Sequence, residues 1–215
     1  MACASCHLEG GDDGRSWSFG TVSSGPSWTA DNIGTRRTQN LRQALAHQAP
    51  FHWRRNVPTL RDLMNEGMHE RMSRPSEVSD AEAAGLDAWL QSLRPPCPTT
   101  PTSAADVSAV ARGHTLYVDL SCATCHDREG EKGFFNIGTG GTFVAPRLEG
   151  LRTRAPYMHN GCARTLRERF TSPECGGTGH RALFEGRQFP PIEGREVVGL
   201  TLAQINDLVA FLNTL

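Results

Sequence analysis

Cys122-Ala123-Thr124-Cys125-His126 and its twin Cys3-Ala4-Ser5-Cys6-His7 are the two stretches on which the fold turns. Both read C-x-x-C-H, the attachment pattern of a c-type heme. The spacing has a chemical reason. Two thiols add across the two vinyl groups of one heme, and the histidine that follows is then held beneath the iron as its proximal ligand. A lone cysteine pair also suits half of a zinc site or a thioredoxin-type redox pair. Two copies, each ending in His and each opening the same larger repeat, point instead to two heme c groups with their iron. One is expected on Cys3, Cys6 and His7, the other on Cys122, Cys125 and His126.

Outward from each motif runs the same series of segments. Ala49-Pro50-Phe51-His52-Trp53 leads to Thr59-Leu60-Arg61-Asp62, and Ala155-Pro156-Tyr157-Met158-His159 leads to Thr165-Leu166-Arg167-Glu168 with the same internal spacing. Each half then closes on an amphipathic helix, from Ser79 to Leu93 and from Thr201 to Leu215. Ser79 and Thr201 are the expected N-caps, because a hydroxyl can accept from the unpaired amides of the first turn. Ile205, Leu208, Val209 and Leu212 recur at helical spacing as one core-facing stripe. Trp89 or Phe211 is expected to pack near a helix crossing.

Between the halves, Arg94-Pro95-Pro96-Cys97-Pro98-Thr99-Thr100-Pro101-Thr102-Ser103 has four prolines and no apolar run. Proline lacks the amide donor that a helix or sheet needs, so this stretch reads as an extended linker. Ala105 to Ser121 has apolar residues at mostly helical spacing ahead of the second motif. The expected architecture is all-α, with two tandem class I cytochrome c-like domains at residues 1–95 and 106–215 and a linker at 96–105.

Bulk composition narrows the partners. The chain has 215 residues, 22 basic against 23 acidic, a net charge of -1 and 38% apolar content. Such a balance gives no field that would gather nucleic acid or an anionic membrane, and no stretch reads as a membrane span. Heme c attachment and disulfides both belong to oxidising compartments, so a periplasmic or otherwise extracytoplasmic location is expected. Only Met1 and Ala2 precede Cys3, leaving neither a signal peptide nor a counterpart of the 105–121 helix. The chain therefore reads as a piece of a larger parent protein.

Each iron needs a sixth ligand or an open face. In small cytochrome c domains a methionine ahead of the C-terminal helix usually closes the distal side. Met72 stands in that position, seven residues before Ser79, with Met68, His69 and Met64 as alternatives. Met64 and Met68, four apart, equally suit packing on one helix face. In the second half no methionine follows Met158. His180, in the glycine-rich Cys175-Gly176-Gly177-Thr178-Gly179-His180, is the candidate there, with Met158, His159 or an open iron as alternatives. Cys162 and Cys175 are expected to pair, closing a short loop and contributing ~3 kcal/mol. Cys97 is left over.

Asn136-Ile137-Gly138-Thr139-Gly140-Gly141, Val144-Ala145-Pro146-Arg147-Leu148-Glu149-Gly150-Leu151-Arg152 and Ala155-Pro156-Tyr157-Met158-His159-Asn160-Gly161 with Thr165-Leu166 resemble the bacterial diheme cytochrome c peroxidase superfamily, including its non-peroxidase relatives. Arg37 to Arg42 and Phe51-His52-Trp53 extend the likeness into the first half. The resemblance implies two helical cytochrome c folds with hemes facing a shared interface, and an aromatic relay for which Trp53, Trp28 and Trp17 are the counterparts. It also implies an interfacial calcium ion, whose many backbone-carbonyl ligands leave no signature in sequence.

Peroxidases of the superfamily carry a distal histidine soon after the first motif, yet none occurs here between His7 and His47. Arg71 stands where they place a glutamate, with Glu66 and Glu70 as the nearby candidates for catalytic acid–base work. The expected function is a diheme electron carrier serving redox partner proteins or small donors and acceptors. The alternatives are a hydrogen peroxide reductase and a redox module of a larger oxidase.

Overall fold

The computed structural model describes residues 3–21, 32–42, 49–126, 134–136, 142–172, 175 and 200–215. The chain divides into two compact units, Met1–Pro95 and Pro96–Leu215. Among the described residues, no helix is long and apolar enough to cross a membrane.

In the first unit the Cys3–His7 turn is followed by an antiparallel ribbon of β1 (Ser16–Thr21) and β2 (Asn32–Arg37), with Ser16 opposite Arg37 and Thr21 opposite Asn32. Helix α1 (Leu60–Met64) runs on as a π-helix over Asn65–Arg71, and α2 (Asp80–Ser92) closes the unit. Thr59 caps α1 by accepting from the amide of Asp62. Ser79 and Glu82 make a full capping box at α2, each side chain taking the other's backbone amide. Phe51, Val57 and Leu90 form the buried centre, with Leu60, Leu63 and Leu86 packed around them.

The second unit begins with the proline-rich stretch, which is extended and held down: Thr99 donates to the carbonyl of Asn213, and Arg152 to that of Cys97, 3.2 Å. Helix α3 (Ala104–Asp119) starts after the cap Ser103, one residue earlier than its apolar pattern indicates. Next come α4 (Ala123–His126), a short ribbon of β3 (Phe134–Asn136) and β4 (Thr142–Val144), α5 (Leu166–Thr171) and α6 (Leu202–Leu212). Thr201 and Gln204 repeat the capping box of α2. The apolar stripe of α6 (Ile205, Leu208, Leu212) meets Leu151, Leu166 and Phe170 in the core.

Helices α3 and α6 cross at Gly113, which has no side chain to hold the two backbones apart. Phe211 packs at this crossing against His114 and Tyr117, with ring centroids 5.1 and 5.2 Å away. Its counterpart Trp89 stays 43% exposed. The all-α expectation also needs correction, because the two ribbons stand among the helices. Their strands place aromatic and β-branched residues (Trp17, Phe19, Ile33, Thr35) in short alternating runs that suit a pleated pair.

The repeat is as plain in the backbone as in the sequence. Phe51 bridges Val57 and Tyr157 bridges Ala163, each pair closing a loop of five residues. Within these loops His52 and Met158 take the left-handed conformation at one position (φ 70° and 75°). Arg55 and Gly161 do so at another (φ 51° and 72°).

Candidate heme-binding sites

The two C-x-x-C-H motifs fold into the same single turn. In the first, the amides of Cys6 and His7 donate to the carbonyl of Cys3, at 3.2 and 2.9 Å; in the second, those of Cys125 and His126 donate to Cys122, at 3.2 and 3.1 Å. One helical turn brings residues i, i+3 and i+4 onto one face, so each motif presents two sulfurs and an imidazole together. Cys3 is exposed, and Cys6, Cys122 and Cys125 are half-buried.

Each motif histidine gives its Nδ1–H to a main-chain carbonyl. His7 donates to Gly11, 3.3 Å, and His126 to Pro146, 2.7 Å. A carbonyl can only accept, which places the proton on Nδ1 and leaves Nε2 with the lone pair an iron requires. Burial pushes the His7 pKa below its usual value, favouring the neutral, ligating form. The donor set thus fits a covalent heme c at both motifs: two thiols for the vinyl groups and an oriented imidazole for the metal.

Around His7 the following loop is braced by the segment 37–42. The Asp12 carboxylate accepts from Arg37, 2.8 Å, from Asn40, 3.0 Å, and from the amide of Gly14, 3.0 Å. Arg37 and Asp12 are both almost wholly buried, so removing either would strand a charge in a poor dielectric. Arg42 donates to the carbonyl of Glu9, and the Trp53 indole to that of Arg37, 3.1 Å. Gly10 (φ 78°) lets Leu93, just past the end of α2, approach to where a β-carbon would sit. Around His126, Arg154 donates to the carbonyl of Arg147, next to Pro146, and Tyr157 to that of Leu151, 3.2 Å. His159 is buried and stacked on Phe143 with centroids 3.8 Å apart.

The distal candidates are placed as follows. Met64 is buried in the first unit, while Met68 and Met72 are half-buried along and just beyond the π-helix. Met158 is half-buried at its left-handed turn. His180 and Trp28 lie outside the described residues, as do residues 137–141 of the glycine-rich stretch. Cys162 and Cys175 form a disulfide with Cα atoms 5.7 Å apart, and Cys97 is an exposed thiol. Of the two acidic candidates, Glu70 is exposed. Glu66 is 2% exposed, with its Oε2 3.6 Å from Nε2 of His52. Trp17 donates to Asp13 and to Thr38, 3.2 Å each.

Residues 110–215 match the family model of cytochrome c. This stretch is a cytochrome c domain. A covalent heme c with its iron goes with such a domain, and the matched stretch includes Cys122, Cys125 and His126. Over its whole length the chain also shares a fold with two solved structures. One is Kuenenia stuttgartiensis hydrazine synthase under xenon pressure, with TM-score 0.70 and 18% identity. The other is a MauG-like protein associated with microbial copper homeostasis, with TM-score 0.62 and 24% identity. In each case all of this chain and 81% of the other are covered. No curated protein sequence matches the chain.

Missing from a reading of residue types were the carbonyls of Gly11 and Pro146, and the bond from His69 to Arg74. Every residue has a carbonyl, so none of the three leaves a mark in the letters. The proline of Ala145-Pro146 is the nearest thing to a signal.

Proposed function

We propose that the chain is a diheme c-type cytochrome of the bacterial diheme cytochrome c peroxidase superfamily, working outside the cytoplasm as an electron carrier between redox partner proteins or small donors and acceptors. The carrying observation is that both motifs form the same turn and both histidines hand Nδ1–H to a carbonyl. A covalent heme, when bound, supplies one-electron chemistry at iron. The residues of the chain do the rest. Cys3, Cys6, Cys122 and Cys125 anchor the two groups, and His7 and His126 hold Nε2 toward the metal. Met72 would hold the iron of the first group opposite His7, and His180 that of the second opposite His126. Thioether and imidazole ligation would set the two sites at different potentials, which suits directional transfer.

The test is the intact mass of mature protein made with a heme c maturation system. Two heme additions are expected, and one each after C3A/C6A and after C122A/C125A. A single addition to the parent would overturn the diheme reading.

A second reading, hydrogen peroxide reduction, is favoured by one observation: Glu66 is a buried acid beside His52. Peroxide turnover lost in E66Q and kept in E70Q would support it. A redox module within a larger oxidase is compatible with either.

A further inference from the structure

We propose that His69 is a positioning residue for Met72, its imidazole stapling the turn that carries the methionine; this rests on Met72 being the sixth ligand of the first heme iron, as proposed above.

The π-helix ends at Arg71, and the chain then reverses through Met72 and Ser73. Ser73 takes the left-handed conformation, φ 58°. The amide of Met72 donates back to the carbonyl of Gly67, 3.1 Å, and that of Arg74 to the carbonyl of Met68, 2.9 Å. The carbonyl of Arg74 accepts from Nδ1 of His69, 2.7 Å. Both main-chain polar groups of Arg74 are therefore tied, to Met68 and His69, and Met72 and Ser73 are the two-residue lobe between the tied ends.

Beyond the lobe the segment is fixed again. The Arg74 guanidinium reaches the Glu82 carboxylate at 2.8 and 3.1 Å, and Glu82 is the partner of Ser79 in the α2 capping box. Further on, the amide of Val78 donates to Asn65, 2.7 Å, and its carbonyl accepts from Arg61, 3.1 Å. The His69 side chain joins the helix end to this fixed segment across Met72.

A thioether is a neutral, weak donor, so its hold on a metal depends on how little freedom the loop recovers by letting go. Partners that orient a ligand typically govern metal affinity by about 10- to 100-fold. Without the His69 bond the lobe keeps its backbone turn and loses its cross-brace. Met72 should then compete less well with an added ligand.

The experiment uses the ferric, heme-loaded full chain and titrates imidazole while following the methionine–iron charge-transfer band. H69F and H69L remove the donor; H69N keeps an N–H at the place of Nδ1. The expected result is about 10-fold tighter imidazole binding in the donor-less variants, with the parent value restored in H69N. Equal affinity in parent and donor-less variants would overturn the proposal, as would tight binding in H69N. Folded H69N with neither donor-less variant accumulating would assign His69 to folding alone, and also overturn it. M72A is the separate arm. A band that survives M72A removes the ligand assignment itself, and is distinguishable from a failure at His69.

Discussion

Gly113 of α3 lies against the main chain of Asp207 in α6. A β-carbon at Gly113 would meet the carbonyl carbon of Asp207 at 2.7 Å and Cβ of Phe211 at 2.8 Å. Backbone cannot rotate aside as the end of a side chain can, so the helices would have to separate and open the core behind Leu208 and Leu212. G113A is expected to destabilise the second unit by about 3 kcal/mol, at the upper end of overpacking costs, and G113V by more. Denaturant midpoints followed at the second unit test this. R112A removes the surface pairing of Arg112 with Asp207 (2.7 and 2.8 Å) and should shift the midpoint far less.

The paired loops give a test of opposite sign. Arg55 and Gly161 occupy corresponding left-handed positions, and only glycine does so without a steric cost from Cβ. G161A should destabilise by about 1–2 kcal/mol, whereas R55G should stabilise by up to about 1 kcal/mol. Thermal or chemical unfolding of the two variants decides it. Equal signs would argue that the two loops are not equivalent.

Acid should loosen the start of α2. The Glu82 carboxyl is lowered from 4.5 to about 2, first by the backbone amide of Ser79, then by its hydroxyl and by Arg74. The folded value lies below the unfolded one, so the unfolded chain binds more protons between them. Stability from this group is complete above about pH 4.5 and is lost as pH falls toward 2. Because Glu82 is exposed, screening by salt makes the effect small. E82Q should flatten the slope of stability against pH in that window, while the parent keeps it.

If His126 and His180 both hold the iron of the second proposed heme, no open site is left there for peroxide. H180G is expected to convert that iron to a high-spin form and to raise peroxide turnover from a low parent value, read by optical and electron paramagnetic resonance spectra. A parent that is already high-spin there, or a spectrum unmoved by H180G, would return the peroxidase reading to the front.

The residues themselves were enough for whatever depends on neighbours within a turn or so. Two thiols and an imidazole share a face because of C-x-x-C-H spacing, and Ser79 and Thr201 cap because a hydroxyl reaches amides three residues ahead. The repeat was legible for the same reason, since each copy spells the same local steps. Tertiary structure alone decided which carbonyl receives the Nδ1–H of each motif histidine, four residues along at Gly11 but 20 along at Pro146. It also buried Glu66 beside His52 while leaving Glu70 in solvent, paired the ribbon strands, and set Arg112 against Asp207 across 95 residues. Burial and main-chain acceptance depend on what arrives from a distant part of the chain, and every residue offers the same carbonyl whatever its side chain.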